Sequence, residues 1–300
     1  MRLAHFSDIH VTHAPFASGP GLRGKRWAGT ANYYVGGRGR HFEGAEARIE
    51  ALLADVDAMA PDHALCTGDL TQMAWPSELA RAAELFGERL DHPERWTVIP
   101  GNHDRYTPEA DRDRWFERYL GAAAPKSYPF VKALDGGRVQ LVLLDVTRAT
   151  GMIDSSGLCG EEQLGALEGL LTQPPMRSAF VVLALHYGLR RSDGAPDRPR
   201  HGIEDAEALE QLLAREDVPV DLVLHGHMHR PYAVATAGPP SICVGSGTDL
   251  AHGGGWHLLE LDPAARTIRL RRRVWSPAAA AYVDAPEPIP GQAWLERLPG

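Results

Sequence analysis

Short apolar runs recur along the chain, and most of them end in a polar residue. Each run has the length and composition of a buried strand. The runs lie at residues 2–8, 63–69, 97–102, 139–146, 180–186 and 221–227. Amphipathic stretches of helix-forming composition separate several of them, at residues 43–59, 77–90, 161–171 and 203–216. The alternation of strands with helices predicts an α/β fold.

The later part of the chain shows strand patterns without intervening helices. These patterns lie at residues 241–246, 256–262 and 267–275, so we expect an antiparallel portion to complete the core. Residues 1–275 are therefore expected to form one domain. Residues 276–300 are rich in Ala and Pro, and we expect them to form an extended C-terminal tail held by a few apolar side chains.

Composition narrows the class of protein. With 44% hydrophobic and 23% charged residues among 300, the chain is typical of a soluble globular enzyme. The N-terminal sequence has neither the apolar core of a signal peptide nor a transmembrane segment, so a cytoplasmic location is expected. The three cysteines are widely spaced and indicate neither a disulfide framework nor a thiolate metal site. A net charge of −8 argues against nucleic acid as a partner.

The residues at the ends of the apolar runs have the chemistry of metal ligands. In open α/β sheets, ligands bind beyond the carboxyl ends of the strands. Seven such residues carry oxygen or imidazole donors: Asp8, His10, Asp69, Asn102, His186, His227 and His229. This mixture suits Mn, Fe, Zn or Co better than Ca or Mg. Seven side chains are too many for one ion, whereas two ions that share one carboxylate use them all.

The same residues lie in an ordered set of short motifs. These are "SDIH", "TGDL", "GNHD", the "LH" at residues 185–186 and "GHMH", between residues 7 and 229. In this order they resemble the calcineurin-like metallophosphoesterases. The resemblance implies a two-sheet β-sandwich flanked by helices, with a pair of divalent or trivalent metal ions at one edge. It further implies that Asp8, His10 and His229 hold one ion, that Asn102, His186 and His227 hold the other, and that Asp69 is shared.

The resemblance also implies catalytic roles within "GNHD". A metal-bound hydroxide would attack phosphorus, while His103 would contact a phosphate oxygen or protonate the leaving group. We expect Asp104 to accept a hydrogen bond from the His103 imidazole and to favour its charged form. The alternative for Asp104 is a cap of the turn.

The segment from residue 11 to residue 42 is a long predicted loop that starts at the metal edge. It contains no acidic residue and carries several basic and aromatic ones. It can form a flap over a phosphorylated substrate, or it can be a solvated loop held by its aromatic residues. The predicted substrate-binding residues are Arg23, Lys25, Arg26 and, next to "GNHD", Arg105. Arginines in the loop that follows His186 are expected either to contact phosphate or to pair with Asp193 and Asp197.

Two branches of the family resemble this chain most. One comprises class III cyclic-nucleotide phosphodiesterases, and the other comprises a pyrophosphatase that acts on UDP-diacylglucosamine. The expected partner is therefore a small phosphorylated molecule: a nucleotide, a cyclic nucleotide or a nucleotide-sugar lipid. The expected reaction is hydrolysis of a phosphodiester or pyrophosphate bond. A phosphomonoesterase, a nuclease of the same fold and a catalytically silent metal-binding scaffold are the alternatives, and the oligomeric state is left open.

Overall fold

The computed structural model of the chain describes residues 1–12 and 24–297. In this part of the chain, strands build two sheets and helices cover their outer faces. The strands are β1 (Arg2–Phe6), β2 (His63–Cys66), β3 (Trp96–Val98), β4 (Phe130–Leu134), β5 (Val139–Leu143), β6 (Phe180–Ala184), β7 (Leu222–His225), β8 (Tyr232–Val234), β9 (Ser241–Cys243), β10 (Gly255–Asp262), β11 (Thr267–Ser276) and β12 (Ala281–Asp284). The helices are α1 (Lys25–Tyr34), α2 (Ala45–Met59), α3 (Pro76–Phe86), α4 (Pro108–Arg112), α5 (Trp115–Leu120), α6 (Glu161–Leu171), α7 (Pro174–Ser178), α8 (Ala206–Leu213) and α9 (Gln292–Leu295).

The two sheets each contain six strands. The first has the order β12-β11-β10-β1-β2-β3, and the second has the order β4-β5-β6-β7-β9-β8. Strands β1, β2 and β3 run parallel to one another in the first sheet, as do β5, β6, β7 and β9 in the second. Parallel strands end at the same edge of a sheet, so the segments that follow them are brought together.

The main core lies between the two sheets. Leu3 and Leu65 of the first sheet and Leu141, Phe180 and Leu224 of the second belong to one buried cluster. Separate apolar clusters pack α2 and α3 on the outer face of the first sheet and α6 and α8 on the outer face of the second. The predicted α/β fold, with a two-sheet sandwich flanked by helices, is confirmed.

Three local predictions need correction. The strand at 241–246 does not join the antiparallel portion, because β9 lies in the second sheet, parallel to β7 and antiparallel to β8. The predicted loop at 11–42 contains α1 and a short 3-10 helix, Arg38–Phe42. The predicted tail contains β12, which is hydrogen-bonded to β11. The domain boundary at residue 275 stays a prediction.

Strands β10 and β11 pair antiparallel, as the pattern of the later segments predicts. Among the residues that the structure describes, none of the helices has the length and apolar character needed to cross a bilayer.

Candidate metal centre

The seven predicted metal ligands converge at one edge of the sandwich. Asp8 and His10 follow β1, and Asp69 and Asn102 follow β2 and β3 of the same sheet. The other three, His186, His227 and His229, follow β6 and β7 of the second sheet. All seven have little or no exposed surface. The parallel arrangement within each sheet and the packing of the two sheets together gather residues that are up to 221 positions apart.

Five of these residues adopt a backbone conformation that is rare for a side chain with a Cβ atom. Twelve non-glycine residues of the described chain have positive φ, and the five are Asp8, His10, Asp69, His227 and His229. Such conformations cost roughly 1–3 kcal/mol each, so they persist where the surrounding structure enforces them. Their concentration here indicates a site that is built for function at some expense of stability.

Glycines allow the loops to approach each other closely. A Cβ atom on Gly101 would lie 2.2 Å from Oδ1 of Asp69, and one on Gly226 would lie 2.4 Å from Oδ2 of Asp8. Both distances are far below a van der Waals contact. The glycines in the "GNHD" and "GHMH" motifs therefore leave the space that the two carboxylates occupy.

The first group of donors is formed by Asp8, His10 and His229. Nδ1 of His10 lies 3.1 Å from the carbonyl oxygen of Thr71, and Nδ1 of His229 lies 2.9 Å from Oδ2 of Asp249. Both partners only accept, so both Nδ1 atoms donate and both Nε2 atoms keep a lone pair. These two Nε2 atoms are 3.1 Å apart. Two lone pairs at this distance repel each other unless a cation or a proton lies between them.

The second group has the same character. Nδ1 of His186 lies 2.7 Å from the carbonyl oxygen of Thr67, and Nε2 of His227 lies 3.0 Å from that of His201. In the neutral, metal-binding form the opposite ring nitrogens keep their lone pairs, and they lie 3.1 Å and 3.0 Å from Oδ1 of Asn102. The hydrogen bonds to backbone carbonyls thus fix each ring with an acceptor atom directed at the centre.

Asp69 lies between the two groups. Its Oδ2 is 3.8 Å from Nε2 of His10 and 3.5 Å from Nε2 of His186. Burial opposes charge on this carboxyl, yet His186 and His103 hold its pKa well below the usual range, so it is ionised. Burial lowers the pKa of His186, but Asp69 outweighs this effect and raises it to about 9.

The arrangement fits metal ions on grounds other than residue type. Oδ1 of Asp8 is buried and has no hydrogen-bond partner, while it lies 3.3 Å from Nε2 of His229. Donor atoms of Asp8, His10 and His229 all lie within 4.8 Å of one another, and so do those of Asp8, Asp69 and His186. A metal cation would bind both this unpaired carboxylate oxygen and the imidazole nitrogens that have a free lone pair.

His103 lies beside the donor groups and lines the cleft above them. Its Nδ1 is 2.5 Å from the carbonyl oxygen of Gln72, its backbone N–H donates to Oδ1 of Asp69 at 2.7 Å, and its ring stacks on Tyr106. Burial lowers the pKa of His103 to about 4; Asp69 opposes this shift and the charge of Arg38 adds to it.

The prediction for Asp104 is wrong. Its carboxylate does not orient His103, whose Nδ1 faces Gln72 instead. Asp104 is fully buried and accepts hydrogen bonds from the backbone N–H groups of Leu70, Thr71 and Gly101, at 2.9–3.2 Å. The turn-cap alternative describes it better, because it ties the loop after β2 to the loop after β3.

The four predicted substrate-binding residues are placed differently. Lys25 lines the cleft, whereas Arg23 lies outside the described residues. Arg26 is buried away from the cleft, where it donates to the carbonyl oxygens of Met73 and Ala74 and lies 4.0 Å from the ring of Trp75.

Arg105 is also buried, and it is bound by the carboxylates of Glu117 and Asp145. Substrate binding by Arg26 and Arg105 is therefore contradicted, since both guanidinium groups are used to hold neighbouring segments. Of the two Asp residues expected to pair with the loop arginines, Asp193 pairs with Arg191, whereas Asp197 binds His201.

Two residues at the centre were not among the predicted ones. Asp249, after β9, binds His229 as described, and its two oxygens also accept from His252 Nδ1 and from the backbone N–H of Ala251. Its position after an apolar run was a usable signal, but "GTD" is also an ordinary turn sequence. Arg38 lies 3.5 Å from Nε2 of His103.

A large cleft opens above the donor groups. Its volume is about 1090 Å³, and it extends from Lys25 and Arg38 on one side to Arg198 and Arg230 on the other. The walls include the largely exposed apolar side chains of Met152 and Ile153. The cleft has room for a molecule that extends on both sides of the centre.

Several solved structures of other proteins are similar to this chain. GAP50, described as the anchor in the inner membrane complex of Plasmodium, has a TM-score of 0.50 and 10% identity, with 92% of this chain and 84% of that chain covered. A putative 5'-nucleotidase from Staphylococcus aureus, solved with alpha-ketoglutarate, has a TM-score of 0.47 and 16% identity, with 88% and 51% covered. This chain thus spans about half the length of that protein. The phosphoesterase Yfce from E. coli has a TM-score of 0.41 and 13% identity, with 95% and 98% covered.

At 10% identity the likeness to GAP50 shows the fold alone. No curated protein sequence gives a significant match to the chain. A family model described as calcineurin-like phosphoesterase does match, over residues 1–231, which include all seven grouped donors. The chain therefore belongs to the calcineurin-like phosphoesterase family.

Proposed function

We propose that the protein hydrolyses a phosphodiester or pyrophosphate bond at a dinuclear metal centre. The observation that carries the proposal is the set of imidazole lone pairs directed at one buried point, above all the 3.1 Å approach of Nε2 of His10 to Nε2 of His229. A silent scaffold would not need to maintain this arrangement at the cost of five strained backbone positions.

The proposed ligands fall into two groups that share Asp69. Asp8, His10 and His229 would hold one ion, Asn102, His186 and His227 would hold the other, and Asp69 would contact both. Mn, Fe, Zn and Co suit these donors. When bound, a pair of such ions supplies an activated water and offsets the negative charge that develops on phosphorus oxygens.

Other groups of the protein around the centre orient the ligands and contact the substrate. The backbone carbonyls of Thr71, Thr67 and His201 hold three of the ligand rings in place. His103, held by Gln72, directs Nε2 into the cleft, where its protonated form would contact a phosphate oxygen or pass a proton to the leaving oxygen. Lys25 is the predicted substrate-binding residue whose placement in the cleft supports that role.

The size of the cleft supports a substrate that has groups on both sides of the scissile bond. A cleft of about 1090 Å³ exceeds what a small phosphomonoester fills. A nucleotide, a cyclic nucleotide or a nucleotide-sugar lipid is of suitable size, with Met152 and Ile153 available to an apolar or aromatic part.

The function is tested by hydrolysis after metal removal and reconstitution with Mn, Zn, Co or Fe. The substrates are bis-p-nitrophenyl phosphate, p-nitrophenyl phosphate, cyclic AMP, UDP-sugar pyrophosphates and DNA. We expect turnover of a diester or a pyrophosphate that is lost on chelation and restored by metal. Preferential turnover of the monoester, or turnover by protein verified to be metal-free, would contradict the proposal.

Asp249 is expected to set metal affinity through His229. In an Asp249→Asn variant the amide oxygen can keep the hydrogen bond from Ala251, which leaves the amide N–H₂ facing Nδ1 of His229. That N–H₂ group donates, so Nδ1 must accept and Nε2 must carry the hydrogen, which makes it unable to bind metal. Metal affinity should fall by about 10- to 100-fold, as measured by competition with a chelator. The control is His252→Gln, which removes another partner of Asp249 and should leave the affinity unchanged.

A further inference from the structure

Arg38 lies on the cleft side of the centre and is held there by the segment that follows α1. It begins the short 3-10 helix Arg38–Phe42, directly after Gly37, whose φ is 79°. At the other end of this helix, the buried ring of Phe42 packs against His10 and His229, with centroid distances of 4.8 Å and 5.9 Å. The guanidinium group is therefore fixed close to the ligand rings by packing.

No described side chain neutralises the charge of Arg38. Within the described residues, no carboxylate oxygen lies within 4.0 Å of its guanidinium group, although most of the other buried or half-buried arginines bind one. Its Nε atom is buried and has no hydrogen-bond partner. Nη2 has one contact, to Nε2 of His103 at 3.5 Å. Half-burying a cation with an unused N–H donor costs free energy unless an anion binds to it.

A second cation in the cleft wall is Lys25, which belongs to α1. Its Nζ donates to the hydroxyl oxygen of Thr150 at 2.6 Å and to the carbonyl oxygen of Asp154 at 2.9 Å, so one of its three N–H groups is left. Nζ also lies 4.9 Å from the ring centroid of Tyr106, and that ring stacks on His103 at 5.3 Å. Lys25 and Arg38 thus flank His103, and both charges act to lower its pKa.

The position of these two cations relative to His103 indicates which part of a substrate they meet. This step rests on the proposed function, and on one of the two roles that it gives His103, the transfer of a proton to the leaving oxygen. Arg38 is next to Nε2 of His103 on the cleft side, so it is next to whatever is attached to the leaving oxygen. A neutral alcohol or phenol at this place would leave Arg38 without a partner, whereas a phosphate would satisfy it.

We propose that Arg38 and Lys25 form an anion subsite for the leaving group, so that the substrate is a phosphoanhydride whose leaving group is itself a phosphate ester. Hydrolysis breaks the bond between the attacked phosphorus and the bridging oxygen and forms a bond from that phosphorus to a water oxygen. The leaving phosphate takes the bridging oxygen with both bonding electrons. The two products share the two protons of the water according to their pKa values.

Two substrates with the same transferred group provide the test. Dimethyl pyrophosphate and methyl p-nitrophenyl phosphate both transfer a methyl phosphoryl group, but the first releases methyl phosphate and the second releases p-nitrophenolate. We expect Arg38→Met to lower kcat/KM for the pyrophosphate by about 10- to 100-fold, as for the loss of a hydrogen bond to a charged group. The change for the nitrophenyl diester should stay below about threefold. Lys25→Met should show the same selectivity.

The chain offers a matched control for charge. Arg40 is exposed, lies in the same 3-10 helix and is not part of the cleft wall, so Arg40→Met should leave both reactions unchanged. Thermal unfolding and metal content of each variant are measured to exclude misfolding or metal loss. An equal loss on both substrates would place Arg38 on the transferred phosphoryl group and overturn the subsite, as would the absence of any loss.

A binding measurement separates this proposal from the proposed function. If the metal-loaded wild-type protein hydrolyses neither compound, calorimetry with dimethyl pyrophosphate still reports the subsite. Binding that weakens at least tenfold in Arg38→Met but not in Arg40→Met would retain the subsite and reject the hydrolytic function. Equal binding by the wild-type protein and both variants would reject the subsite.

Discussion

Replacing Asp69 with Asn is expected to reduce kcat/KM by a factor on the order of 10³ or more, because one metal ion contributes several kcal/mol to transition-state stabilisation. Oδ1 of Asp69 accepts the backbone N–H of His103, so the amide oxygen of Asn would keep this hydrogen bond. The amide N–H₂ would then take the place of Oδ2, which lies between His10 and His186. An amide nitrogen does not bind metal ions, so the group shared by the two ligand sets would be lost.

Metal content by elemental analysis should fall together with activity in Asp69→Asn. The matched control is Asp193→Asn, which removes a carboxylate from the cleft wall but outside the ligand set, and it should keep both metal and activity. If Asp69→Asn bound two metal ions per chain with unchanged kcat/KM, the proposed sharing of Asp69 would be wrong.

His103→Gln is expected to lower kcat by about 10²- to 10⁴-fold, the usual contribution of a general acid or base. The reason is the position of Nε2, which is fixed by the bond from Nδ1 to Gln72 and faces the cleft. His103 is not among the grouped donors, so metal content should be unchanged. This combination separates its role from that of the ligands.

Substrates with different leaving groups distinguish between the two roles of His103. If it protonates the leaving oxygen, the loss should be large for alkyl diesters and small for p-nitrophenyl esters, whose leaving group needs no proton. If it contacts a phosphate oxygen, the loss should be equal for both. His92→Gln, at an exposed histidine outside the cleft, serves as the control, and wild-type rates in His103→Gln on every substrate would exclude both roles.

The arginines show where prediction from sequence failed. Arg26 and Arg105 carry the right charge in the right segments, but their partners are the backbone at residues 73–74 and the carboxylates of Glu117 and Asp145. Glu117 and Asp145 are 12 and 40 positions from Arg105. Ion pairs between residues so far apart in the sequence depend on how helices and loops pack, and no local sequence pattern predicts them.

The roles of Asp104 and Arg38 also could not be predicted from the sequence, although the contacts of Asp104 begin with its neighbours in the chain. Asp104 adjoins His103 in sequence, yet its carboxylate faces the loop after β2, because the turn that begins at Gly101 directs successive side chains apart. Arg38 was one of several basic residues in a predicted loop. Only the 3-10 helix and the packing of Phe42 against the ligand rings single it out.

The sequence by itself determined the α/β class, because the period of apolar residues is a local property of the chain. The two-sheet sandwich and the family followed from the resemblance that the ordered short motifs carry. The sequence also indicated which seven donors would meet, since all of them lie at or just after the ends of apolar runs, and ligands bind beyond the carboxyl ends of strands. That they come from two different sheets was shown only by the structure. The tertiary structure alone decided which ring nitrogen of each histidine faces the centre and which arginines pair with carboxylates. These features depend on hydrogen bonds and ion pairs between residues that only folding brings within 4 Å of each other.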